Sequence, residues 1–323
     1  MRRLLLSLLL FTTAKPALAN PVAVTAEPIK TFSRVSSSDD FGPLQFRGGL
    51  TLHSEEKKFG GLSGLVMTKD CGSFIAISDA GRWFTAKLGY DGDRLTGITA
   101  GELAPMLDDK GKPFKSKFQG DSEAVTRLAS GKIGVGFEGD VRFGSYDIAK
   151  SGFKARFKRI LHPYGVDEGP ANGQVEAFGQ LASGALIAIS EKQRDSKGNT
   201  RAWIWKGPST TPFTIQRTAD FDITDLAVLP DGDILTLERS FTRTSLPGMA
   251  VRRFSAKGLK NYDLVTPETL IETNVALSVI DNMEGIALCK RGGETRVTLL
   301  SDDNFNPSLQ STILLQFALK PKP

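Results

Sequence analysis

The sequence predicts an all-β fold, a β-propeller with five clear blade repeats. Three observations carry this: one strand–turn–strand pattern occurs five times, the copies are spaced near a propeller blade's length, and helix-period apolar patterning is almost absent. Each copy opens on a small or acidic residue and an apolar run. It crosses a short polar turn, and a second apolar run ends on a carboxylate. The copies occupy residues 63–79, 123–138, 176–191, 225–238 and 284–303, with starts 60, 53, 49 and 59 residues apart. One such unit cannot bury both its faces, whereas a closed ring of them can.

Taken in chain order, residues 1–19 read as a cleavable signal peptide. Arg2 and Arg3 precede an apolar run, and Ala17-Leu18-Ala19 forms an A-x-A site with cleavage after Ala19. That apolar run is far shorter than the roughly twenty residues of a membrane span. Residues 20–40, rich in Ser, Pro and Thr, read as a flexible lead-in, and residues 41–323 as a single propeller domain. A strand is expected over 44–55. Each repeat then supplies strands a and b, a polar loop and strand c, with strand c at 83–90, 142–148, 202–207, 249–254 and 311–319. A fourth strand d is expected in the first four copies, whereas the fifth runs out of chain. The orphan strand near Leu44 can fill that gap and close the ring without leaving an edge. A sixth, degenerate blade, made from the lead-in and residues 257–281, stays open as an alternative.

The net charge of +5 is partly a property of the leader. Cleavage removes Arg2, Arg3 and Lys15 and no acid, leaving +2. A nucleic-acid partner gains no support from that balance, and no later stretch is apolar enough to cross a membrane. The expected location is the periplasm or the medium, and the expected state a monomer. Two cysteines in an exported chain leave two readings. Cys71 and Cys289 sit near the first hairpins of copies one and five, so a ring closing five on one makes them neighbours. Either they form a disulfide contributing about 4–5 kcal/mol by the entropic argument, or they are two free thiols.

Strand a of a propeller lines the central channel, and the loops before a and after b share one face. Two positions per repeat therefore converge on the channel mouth. The first set is Ser63, Glu123, Glu176, Asp225 and Glu284. The second is Asp79, Glu138, Glu191, Glu238 and Asp302 or Asp303. So much negative charge around one axis requires a bound cation, raised pKa values or basic partners. Oxygen-only ligands from several loops suit Ca²⁺. Arg82, Arg142, Arg194, Arg201, Arg239 and Arg243 follow the second carboxylates closely, either as an outer cationic rim or as local ion pairs.

Other signals carry little. Gly134, Gly136 and Gly139 match G-x-G-x-x-G inside a strand with no following helix, which is no dinucleotide site. Two distant histidines, His53 and His162, support neither a Ser-His-Asp triad nor zinc. Trp83, Trp203 and Trp205 fall in strands c and read as packing between blades.

The strings FRGGLTLHSEEKKFGGLSGL (46–65), ISDAGRW (77–83), LPDGDILTLER (229–239), IDNMEGIAL (280–288) and LLSDDNFNPSLQSTILLQF (299–317) resemble the bacterial phytase-like family described as esterase-like activity of phytase. The resemblance covers residues 40–319. It implies an exported propeller with phosphoesterase or esterase activity. The expected function is a Ca²⁺-assisted hydrolase of phosphate esters or related small anionic esters. Glu176, Glu284 and Glu123 are candidate catalytic carboxylates. Asp79, Glu138, Glu191, Glu238, Asp302 and Asp303 are candidate metal ligands, with Asn282 and Asn304 as neutral oxygen donors. Arg82, Arg142 and Arg239 are candidate substrate-binding groups. Two alternatives stay open: a non-catalytic module that binds an envelope component around a structural cation, and a lactonase-like hydrolase.

Overall fold

In the computed structural model, which describes residues 19–170, 173–242 and 245–322, the chain forms five sheets, antiparallel except at one edge of the third. Each innermost strand touches the innermost strands of the two neighbouring sheets, so the sheets stand as blades around one axis. Blade 1 runs outward through Leu62–Met67, Ser73–Ser78, Arg82–Asp91 and Arg94–Pro105. Blade 2 comprises Ser122–Arg127, Ile133–Phe137, Arg142–Tyr146 and Lys158–Ile160. Blade 3 comprises Val175–Gln180, Leu186–Arg194, Thr200–Lys206 and Ser209–Ile215. Blade 4 comprises Asp222–Val228, Asp233–Ser240, Gly248–Ser255 and Glu268–Asn274.

Blade 5 contains Asn282–Arg291, Glu294–Asp302 and Thr312–Leu319, and its fourth strand is Leu44–His53 from the N-terminal side. Thr312 faces Leu52 and Leu319 faces Leu44 across that join, so the ring closes on the strand the sequence left orphaned. The sixth-blade alternative falls. Within 257–281, Leu264–Val265 adds a parallel edge to blade 3, and Glu268–Asn274 is the outer strand of blade 4. The lead-in also differs from expectation. Asn20–Pro21 pairs with blade 1 and Thr25–Ile29 with Leu44–His53. Its apolar side chains explain the docking: Val22, Val24 and Ala26 pack at the seam of blades 5 and 1, and Phe32 is fully buried against Phe41 and Phe317. The leader lies outside the described residues up to Ala19. Among the described residues no helix is long and apolar enough to cross a membrane.

Five buried apolar clusters occupy the five seams between blades. Inner strands such as Leu62–Met67 are buried on both faces, so they read as continuous apolar runs rather than alternating ones. Trp83 packs edge-on against Tyr146 between blades 1 and 2, and Trp205, stacked on Phe178 of its own blade, packs against Phe143 of blade 2. Cys71 and Cys289 are bonded, with Cα atoms 5.2 Å apart and a sequence separation of 218. Together with the bond from Lys290 N to Lys69 O, the disulfide fastens blade 5 to blade 1 on the face opposite the mouth.

Three blades share one turn between strands a and b. Leu128, Leu181 and Leu229 each accept from a glycine N–H three residues on, at Gly131, Gly184 and Gly232. Those glycines have φ of 81°, 80° and 91°, a left-handed conformation that glycine adopts without strain. The turn fixes the count of residues from strand a to strand b, and so which side chains reach the mouth.

Candidate active site at the channel mouth

All five inner strands carry a β-bulge at their mouth end, where one residue of strand a has no partner on strand b. The bulged residues are Ser63, Glu123, Glu176, Thr224 and Glu284. A bulge re-aims its side chain, and here it does so five times around one axis. The strand-b residues just beyond these pairs are Asp79, Glu138, Glu191, Arg239 and Asp302. Blade 4 therefore differs from the sequence reading by one position in each strand.

Asp225 sits one residue past its bulge, fully buried, and accepts from the backbone N–H groups of Leu226 and Ile286. It ties blade 4 to blade 5 and has no place in the ring. Thr224, the true equivalent, donates to Met283 O at 3.0 Å, much as Ser63 donates to Ser122 O at 2.6 Å. Glu238, expected as a metal ligand, is likewise one residue early. Its carboxylate is buried within the sheet, accepting from Arg252 Nε at 2.9 Å and Thr236 Oγ1 at 3.1 Å. A buried acid already neutralised by a buried arginine has nothing to offer an axial ion.

What occupies the ring in blade 4 is Arg239. Its guanidinium bonds Glu191 Oε1 at 3.1 Å, Asn282 Oδ1 at 2.5 Å and Glu284 Oε1. Across the mouth, Lys117 on the one-turn helix Lys117–Gly120 reaches Asp79 Oδ2 at 3.0 Å and Asp121 Oδ1 at 2.5 Å. Lys192 pairs with Glu191 Oε2 at 3.2 Å. Asp121, not expected from the sequence, forms with Glu123 and Glu138 a trio whose carboxylate oxygens lie within 4.8 Å of one another. Its position two residues before a repeat start gave no signal in a pattern keyed to that start.

The electrostatics follow the crowding. Burial pushes Glu123 well above the usual carboxylate range, and Glu176 and Asp121 push it further. Burial likewise raises Glu176, helped by Glu191, Glu138 and Glu284 and opposed by Arg239. Glu284 is raised to about 7 by burial, although Arg239 pulls it down. Asp302 is raised to about 8, again by burial first, with the Asn304 N–H opposing and Glu284, Asp79 and Asp303 adding to it. Glu138 and Asp79 are raised by the same cause. These acids from four blades feel one another because their side chains meet at one opening.

The remaining candidates lie apart from that opening or brace it. Arg142 is buried over Phe114, Phe137 and Phe157, 4.2 Å from the Phe137 ring centre, and donates to Asp140 O and Gln119 O. The aromatic cage holds it away from the axis. Arg82 lines a separate depression with Asn20, Glu56 and Pro113. Arg194 is paired with Asp222, and Arg243 lies outside the described residues. Asp303 accepts from Gly61 N at 3.1 Å and Phe305 N at 3.0 Å, which pins the blade 5 loop over blade 1. Glu138 accepts from Gln174 N at 2.8 Å and from Gly173 N.

The donors fit a hard cation. They are carboxylate and amide oxygens from separate loops, as Ca²⁺ takes them. The buried Asp79 Oδ1 has no hydrogen-bond partner. A Cβ on Gly61 would lie 2.3 Å from that oxygen, so the backbone is shaped around it.

A family model described as phytase-like, esterase-like activity of phytase, matches residues 57–305. The chain belongs to the phytase-like family. No functionally curated protein matches this phytase-like chain in sequence. Among solved structures, an endo-arabinase from Bacteroides thetaiotaomicron is 13% identical with a TM-score of 0.48, covering 82% of this chain and 96% of its own. An α-L-arabinofuranosidase from Podospora anserina, in complex with cellotriose, is 10% identical with a TM-score of 0.49, covering 84% and 94%. A provisionally assigned gluconolactonase is 11% identical with a TM-score of 0.45, covering 92% and 94%. None of the three is similar enough for its chemistry to be carried over to the phytase-like chain.

Proposed function

We propose that this phytase-like propeller is an exported hydrolase of small anionic esters, phosphate esters foremost, that works with a divalent cation such as Ca²⁺. The observation that carries the reading is the mouth itself. Acids from blades 1, 2, 3 and 5 converge there around one arginine, and several have carboxyl groups raised toward neutrality. Asp121, Glu123 and Glu138 would hold the cation, with the unpartnered Asp79 Oδ1 beside them. When bound, the ion supplies Lewis acidity at the ester oxygens.

The rest falls to side chains. Glu284, raised to about 7, is poised to take a proton from an attacking water near neutral pH. Arg239 orients Glu284 and Glu191 through its three bonds, and its charge balances negative charge developing on the ester. Glu176, among Glu191, Glu138 and Glu284, is placed to hold a proton for the leaving group. The disulfide and the leader sequence support export to an oxidising compartment.

A chromogenic phosphate, a chromogenic carboxylic ester and a lactone, assayed with and without chelator, test the reading. The expected result is turnover that chelation abolishes and that falls about 10²–10⁴-fold in Glu284→Gln. The contrary result is no turnover of any of them by folded, Ca²⁺-loaded protein. That outcome favours a second reading, a binding module with a structural cation. One observation supports it: Glu138, Glu191 and Glu284 already have donors within the protein.

A further inference from the structure

A cleft of about 710 Å³ leads from the acid ring outward between the mouth loops of blades 4 and 5. Glu191, Arg239 and Asn282 belong both to the ring and to the cleft, so the two are continuous. Away from the ring its character changes. Phe241, Pro247, Val275 and Leu309 form apolar wall, and the acids that line it are Asp222 and Asp281. Phe241 and Leu309 are each 80% exposed, a state that costs free energy unless a ligand covers them. Among the described residues, the bases lining the cleft are Lys192 and Arg239, and both are paired with Glu191.

Resting on the hydrolase reading above, we infer that the substrate carries a single anionic group and an apolar arm. The anionic head sits at the ring, against Arg239 and the cation, and the arm lies in the cleft against Phe241, Pro247, Val275 and Leu309. A polyanion does not fit this shape of charge. With its first phosphate at the ring, its further phosphates meet apolar wall and the Asp281 carboxylate, where like charges at close range repel, while the arginines beside Asp222, Arg194 and Arg217, are already bonded to that carboxylate. An aryl or short alkyl ester instead removes apolar surface from water on both sides of the contact. The cleft thereby selects for the body of the substrate, and the ring for its head.

Binding of non-hydrolysable probes separates this inference from the hydrolase reading. Phenylphosphonate, methylphosphonate and inositol hexakisphosphate are titrated calorimetrically into the mature protein loaded with Ca²⁺. Phenylphosphonate is expected to bind at least tenfold more tightly than methylphosphonate, and inositol hexakisphosphate no more tightly than methylphosphonate. The double variant Phe241→Ala, Leu309→Ala alters two exposed side chains, and its melting temperature should be unchanged. In it the phenyl preference should fall to within twofold. Equal affinity for the two phosphonates, no binding of phenylphosphonate, or tighter binding of the polyphosphate overturns the inference. Binding of phenylphosphonate without turnover of phenyl phosphate sinks the hydrolase reading and leaves the cleft's preference standing. Turnover without the phenyl preference does the reverse.

Discussion

Arg239 shows how much one position decides. Four blades end strand b with a carboxylate at the ring, and the fourth blade ends it with a guanidinium that joins Glu191, Asn282 and Glu284. Removing one partner of a buried charge network leaves the others uncompensated, at about 3–5 kcal/mol. Arg239→Gln should therefore lower the unfolding free energy of the metal-free protein by about that amount at pH 8. The loss should shrink toward pH 5, where the acids can take protons instead. The direction follows from Glu284 and Asp302, which go from 4.5 and 3.8 to about 7 and about 8 on folding. The folded protein holds those protons more tightly than the unfolded chain. Wild-type, metal-free protein should thus be most stable below about pH 4–5 with respect to these groups, losing stability as pH rises to about 8. Urea titrations at pH 5 and pH 8 in chelator check both statements, and equal losses for the variant at the two pH values would contradict the account.

At the scale of the element, the bulge and the turn do the positioning. Aligning the repeats on their acids misplaces blade 4 by one residue, which is why Asp225 and Glu238 look like ring members in the sequence. Aligning them on the turn leucines Leu128, Leu181 and Leu229 corrects both strands. Five residues back from each leucine lie Glu123, Glu176 and Thr224, and ten residues on lie Glu138, Glu191 and Arg239. That signal was in the sequence, carried by the turn glycines rather than the charges. The cages around Arg142 and Glu238 were not legible, because their partners Phe114, Phe157 and Arg252 come from other strands or loops. Gly61 is the element-scale test. Its φ is 62°, and an added Cβ would approach Phe305 Cε2 to 2.2 Å and Asp79 Oδ1 to 2.3 Å. Gly61→Ala should cost about 2 kcal/mol or more in stability and weaken Ca²⁺ binding, read by denaturation and calorimetry. A neutral effect on both would show that this loop does not shape the site.

The whole molecule is a ring closed twice. Leu44–His53 completes the last blade by hydrogen bonds, and Cys71–Cys289 joins that blade to the first covalently. The repeat count and the closing strand could be read in the sequence because every blade repeats the strand–turn–strand pattern and the fifth copy lacks its last strand. The docking of the lead-in could not, since Asn20–Pro21 and Thr25–Ile29 are too short to show a period. Because the disulfide closes a loop spanning 218 residues, Cys71→Ala, Cys289→Ala should lose about 4 kcal/mol of unfolding free energy, measured by urea titration of the mature protein. A change under about 1 kcal/mol would mean that the strand closure alone fixes the ring.

The gathering of carboxylates at one mouth is tested most directly by calorimetric titration of the metal-free mature protein with Ca²⁺ at pH 7, in two buffers of different ionisation enthalpy. The account predicts saturable binding accompanied by proton release, because carboxyls raised toward neutrality must give up protons to a cation. It also predicts that Glu123→Gln weakens the binding at least tenfold. Absence of binding at millimolar Ca²⁺, or binding with no proton release and no response to Glu123→Gln, would contradict it.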